Sequence, residues 1–72
     1  MNIKETAKII ANNIINNTNE ENLSWNDVYK KEINKLDNKE NLDKTLLLMN
    51  IVKEISRQGY SIEDNPFRLT KY

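Results

Sequence analysis

Apolar residues recur at helical spacing over the first sixteen positions. Ile3, Ala7, Ile10 and Ile14 fall on one side of a 3.6-residue repeat with Ala11 beside them, which predicts a first helix over 3–16. Asn2 is placed as its N-cap, and Glu5, three residues on, is the capping-box partner. Ile9 lies off the stripe, among Glu5, Asn12 and Asn16, and is a candidate contact for a partner or a second copy of the chain. Residues 16–22 carry no apolar side chain and no periodicity. They read as a loop, too short to separate two domains.

The second helix has a strong start pattern: Ser24 as N-cap, Asp27 at the third helical position, and Leu23 with Val28 placed as a hydrophobic staple. From Trp25 onward, Trp25, Val28, Tyr29, Ile33 and Leu36 share one face, while Asp27, Lys30, Lys31, Asn34 and Lys35 share the other. The expected span is 25–36. Asp37 and Glu40 repeat the capping-box pattern, so a third helix is expected over 39–58, with a start near Asn41 as the alternative.

This third helix contains the most apolar stretch of the chain, Leu46-Leu47-Leu48-Met49-Asn50-Ile51-Val52, with Leu42 before it and Ile55 after it. Apolar positions cover well over half its circumference, and such a helix must be covered on more than one side. Gly59 is placed as the left-handed residue that ends it, with Ile55 and Tyr60 at the positions of the hydrophobic pair of a Schellman motif. Beyond Gly59, Tyr60 and Ile62 alternate with polar residues, as do Phe67 and Leu69, and Asp64-Asn65-Pro66 between them is turn chemistry. That pattern fits a β-hairpin or an irregular tail packed on the helices. The fold class expected is therefore all-α: a three-helix bundle with a short C-terminal tail or hairpin over 60–72, in one domain spanning 1–72.

Composition narrows the functions open to such a domain. At 72 residues the chain supports one small core, worth roughly 3 to 5 kcal/mol, so natural domains of this size gain stability from disulfides, metals or partners. The chain has no Cys and no His, which removes the thiolate nucleophile, the disulfide and the commonest metal ligand and general base. Gly59 is the only glycine, so there is no glycine-rich phosphate loop. The carboxylate pairs Glu20/Glu21, Asp37/Glu40, Glu40/Asp43 and Glu63/Asp64 fall on caps, a loop and a turn. No enzymatic activity, cofactor, metal or small-molecule substrate is expected. Eleven basic residues balance eleven acidic ones, so neither the basic footprint of a nucleic-acid binder nor the acidic surface of a nucleic-acid mimic is present. The N-terminal region lacks the apolar run of a signal peptide and no stretch is long enough to span a bilayer, so a cytoplasmic location without membrane contact is expected. The abundance of Asn, Lys and Ile suggests AT-rich coding, as in a low-GC bacterium or its phage.

Two binding functions remain. The first is contact with another protein or with a second copy of the chain, as a homodimer or as a small inhibitor or modulator. The side of the third helix that two short helices cannot reach must be closed by the tail or by another molecule. Ile9, Tyr60, Ile62, Phe67, Arg68 and Tyr72 are the candidate contacts, since aromatic residues and Arg often anchor interfaces. The second follows from the order helix, helix, helix, Gly-Tyr-Ser-Ile, turn, Phe-Arg-Leu-Thr over residues 24–72, which resembles a winged helix. The resemblance implies DNA binding, with the third helix in the major groove, Lys39, Asn41, Lys44 and Thr45 near its exposed first turns, and Arg68 on the wing. A recognition helix needs one free polar face, and this third helix is apolar over most of its circumference. That and the charge balance place nucleic acid second.

Overall fold

A computed structural model of the chain describes residues 2–17, 23–36, 43–64 and 66–72. Among these residues there are three helices, α1 (Ile3–Asn16), α2 (Trp25–Asn34) and α3 (Lys44–Arg57), followed by strands β1 (Tyr60–Glu63) and β2 (Arg68–Lys71). The architecture is compatible with a small helical bundle carrying a C-terminal hairpin.

Local chemistry sets the helix ends. Asn2 takes extended backbone angles and its side-chain oxygen accepts from the Glu5 N–H at 2.8 Å, satisfying one of the donors that a helix start leaves orphaned. Ser24 does the same for α2, its hydroxyl accepting from the Asp27 N–H at 3.2 Å. The third helix departs from expectation: Asp43 is extended and its carboxylate accepts from the Leu46 N–H at 3.1 Å, so the helix begins at Lys44 and not at Lys39. A single side-chain acceptor is enough to start a helix, and Asp43 supplies one without the acidic third residue that made Asp37 and Glu40 look like the better box. That expected box, at 37–40, lies outside the described residues. α2 is also shorter than expected by one turn's fraction, with Lys35 as its C-cap and the Leu36 N–H bonded to the Ile33 carbonyl at 3.0 Å. At the other end of α3, Gln58 is the C-cap and Gly59 follows with φ +95°, donating to the Ser56 carbonyl at 3.0 Å as the expected left-handed residue.

The core is formed by Ala7, Ile10, Ala11 and Ile14 of α1, Val28 and Ile33 of α2, Leu47, Ile51 and Ile55 of α3, and Phe67. α1 packs most extensively on α3 and also meets α2, while β1 follows onto α3. Among the described residues, two polar ones are buried. Thr6 is accommodated because its hydroxyl donates to the Asn2 carbonyl at 3.0 Å. Glu32 is less well served: one carboxylate oxygen pairs with Lys35 at 2.9 Å, and the other is buried without a hydrogen-bond partner.

Of the two tails expected, the chain forms the hairpin. Its strands are antiparallel, with Tyr60 opposite Lys71, Ser61 opposite Thr70, Ile62 opposite Leu69 and Glu63 opposite Arg68. Alternation puts Tyr60, Ile62 and Leu69 on the face packed against the core, and Glu63, Arg68 and Thr70 on the other. A two-stranded hairpin is marginal by itself. This one is fastened to the start of α2: the Asp64 carboxylate accepts from the Trp25 N–H at 2.9 Å, the Phe67 N–H donates to the Leu23 carbonyl at 2.7 Å, and the Phe67 ring stacks on Trp25 with centroids 5.4 Å apart. The acid also lies where the α2 dipole favours negative charge.

Candidate functional site

Fastening the hairpin to α2 decides which side of α3 stays open. Leu47, Ile51 and Ile55 follow one another at i and i+4, and all three are fully buried. Leu46, Met49 and Val52 follow at i and i+3 on the outer side and remain 44%, 52% and 39% exposed. Neighbours at that spacing touch along a helix, so the three make a continuous apolar stripe. Neither α1, α2 nor the hairpin covers it. Among the described residues, the surplus of apolar surface read from the sequence is thus left uncovered.

The stripe borders two grooves. One, of about 480 Å³, runs between α1 and α3 and is lined by Lys4, Glu5, Ala7, Lys8, Asn50, Lys53, Glu54 and Arg57. Within it Arg57 donates to the Glu54 carboxylate at 2.5 Å, while Lys4, Lys8 and Lys53 are exposed and make no ion pair among the described residues. The other, of about 260 Å³, lies between α2 and α3 and is lined by Tyr29, Lys30, Ile33, Asn34, Lys44, Thr45 and Leu48.

The residues singled out from the sequence are scattered. Ile9 is exposed on α1, as its off-stripe position requires. Tyr60 and Ile62 are half-buried and turn their apolar bodies to the core, with Lys71 Nζ 5.8 Å from the Tyr60 ring centroid. Phe67 is a core residue, 8% exposed, and its ring is spent on Trp25 rather than offered to a partner. Arg68 is exposed and bonded to Glu63 at 3.2 Å. Tyr72 is the most exposed large apolar side chain among the described residues, its hydroxyl 3.3 Å from Ser56 Oγ and its N–H on the Gly59 carbonyl at 2.9 Å. Of the residues implied by the winged-helix resemblance, Lys44 and Thr45 are exposed on the first turn of α3 and Lys39 and Asn41 lie outside the described residues.

The fold changes the acidity of Glu63. The Thr70 hydroxyl donates to one of its carboxylate oxygens, and Arg68 donates to the other and adds its positive charge, which together hold the carboxyl below its ordinary value of 4.5. This is a cross-strand polar cluster on the outer face of the hairpin, and its effect is structural. Among the described residues no group of three or more Asp or Glu is placed to hold a metal ion, and no helix is long and apolar enough to cross a membrane. Compared with protein-family models, with characterised proteins and with solved structures, the chain has no match.

Proposed function

We propose that the three helices pack as a small bundle and that the domain is a non-enzymatic interaction module, binding another protein or a second copy of itself through the outer side of α3. The observation that supports this reading is the uncovered stripe Leu46, Met49 and Val52. A domain of this size has little core to spare, and leaving three large apolar side chains about half exposed in a row is a cost unless something covers them. Their exposed portions amount to roughly half of the ~1.5–3 kcal/mol that each full burial gives, so on the order of 3 kcal/mol in all. A micromolar complex needs about 8 kcal/mol, so the stripe serves as the centre of an interface with further contacts around it.

The test is site-specific photo-crosslinking in the source cell, with the photoreactive residue at position 49 or 52 and a control at the exposed Asn34. Adducts at 49 and 52 and none at 34 support the reading, and ultracentrifugation of the purified chain then separates self-association from a different partner. A protein that is monomeric at every concentration and gives no adduct at either position is not a module of this kind.

DNA binding is kept as a second reading because the hairpin follows α3 directly, as a wing does, and because Lys30 and Lys44 line the α2–α3 groove beside Thr45. It requires a salt-sensitive shift of duplex DNA that Lys44→Glu abolishes.

A further inference from the structure

The surroundings of the stripe specify the chemistry of the partner. On α3, Lys53 lies four residues after Met49, and Asn50 and Arg57 lie on the same side as Lys53, so the apolar stripe passes directly into the wall of the α1–α3 groove. Across that groove stand Lys4 and Lys8, one helical turn apart on α1. Glu54 is already neutralised by Arg57. Three lysines against one carboxylate, Glu5, remain, and Lys4 and Lys8 are a like-charge pair at i and i+4, an arrangement that weakens a helix. The fold gains nothing from gathering these charges. An anion entering the groove would.

From this juxtaposition, and resting on the protein-contact reading above, we infer that the partner presents an acidic amphipathic segment. Its apolar side chains cover Leu46, Met49 and Val52, and its carboxylates reach Lys4, Lys8 and Lys53. One feature selects a protein over a nucleic acid: the apolar stripe of Leu46, Met49 and Val52 offers nothing to a phosphate backbone. Steering by the three lysines makes the association salt-dependent.

The experiment titrates the full chain, followed through its backbone amide resonances, with three probes. One is a synthetic helical peptide with Leu at i, i+3, i+4 and i+7 and Glu along the adjoining flank. The second is the same peptide with Lys for Glu, and the third is a short DNA duplex. The inference requires that the acidic peptide shift Lys4, Lys8 and Lys53 together with Met49 and Val52, that its affinity fall with rising salt, and that the Lys peptide leave these resonances in place. The combined change Lys4→Glu, Lys8→Glu and Lys53→Glu, at exposed positions, should weaken the acidic peptide by about tenfold or more. Lys53→Gln alone, with its fold checked by circular dichroism, should weaken it to a smaller degree. Equal binding of the two peptides, shifts confined to another face, or a duplex that moves the lysines without Met49 and Val52 overturns the inference. Should the inference fail while position 49 still crosslinks to protein, the partner is of another chemistry and the protein-contact reading stands.

Discussion

Gly59 ends α3 at φ +95° and hands the chain to β1, so the Gly59→Ala variant measures how firmly the hairpin is joined to the helices. A Cβ at this position meets no atom within 4 Å, which removes any collision from the expected cost. What is left is backbone strain: an L-residue in the left-handed region costs about 1–2 kcal/mol. Against it stands the smaller entropy of the unfolded chain, worth about 0.4–1 kcal/mol when Ala replaces Gly. The net destabilisation is about 1 kcal/mol, which for a domain of this size lowers the melting temperature by roughly 4–8 °C. The hydrogen bonds that Gly59 makes are all main-chain, to Ser56 and from Tyr72, and survive the substitution. Thermal unfolding followed at 222 nm reads the change. Gly59→Asn, which tolerates positive φ, should fall between wild type and Gly59→Ala. An unchanged melting temperature for Gly59→Ala would refute the left-handed cap and with it the chain path from α3 into β1.

Three further substitutions test the packing. Glu32→Met removes a buried carboxylate oxygen that has no partner, at the loss of one ion pair to the exposed Lys35, and should raise stability by about 1 kcal/mol; a lower midpoint in urea would contradict the burial of that oxygen. Phe67→Ala should cost about 3–5 kcal/mol, comparable to the whole stability of a domain this small, and leave the chain largely unfolded, whereas Phe67→Leu should keep the fold; the fluorescence of Trp25, the single tryptophan, reports both. Because the folded Glu63 carboxyl titrates below its ordinary value, its contribution is fully present above about pH 4.5 and is lost as pH falls through the folded value. The Thr70 and Arg68 amide resonances should therefore shift in acid before the helices do, and Glu63→Gln should flatten that step.

How much of this was legible in the sequence follows from how far apart the responsible residues lie. The caps made by Asn2, Ser24 and Gly59 reach backbone groups within four positions, and both termini of α1, the start of α2 and the end of α3 lie where local chemistry places them. The start of α3 did not, because Asp37, Asn41 and Asp43 all offer a capping oxygen within seven residues, and the apolar repeat of Leu42, Leu46 and Met49 runs through Asp43 without a break. The hairpin was legible as alternation, but its choice over an irregular tail rests on Asp64 and Phe67 meeting Trp25 and Leu23 some forty residues away, which no local pattern carries. Glu32 was missed for a related reason: nothing in a sequence marks which flank of an apolar face a neighbouring helix will bury.

The candidate site divides along the same line. That α3 carries more apolar surface than two short helices cover is legible from Leu46 to Val52, while the choice between the tail and another molecule as its cover is not. Residue type alone points to the aromatic tail as a partner contact, whereas Phe67 is the rivet that holds the hairpin on α2. Held there, it leaves the stripe exposed among the described residues, whereas a hairpin folded over Met49 and Val52 would cover it. The lysines that give that side its charge come from α1 and α3, more than forty residues apart, and each looks like an ordinary solvated position on its own helix. Only the packing of α1 on α3 turns Lys4, Lys8 and Lys53 into one surface, adjacent to the apolar stripe of Leu46, Met49 and Val52.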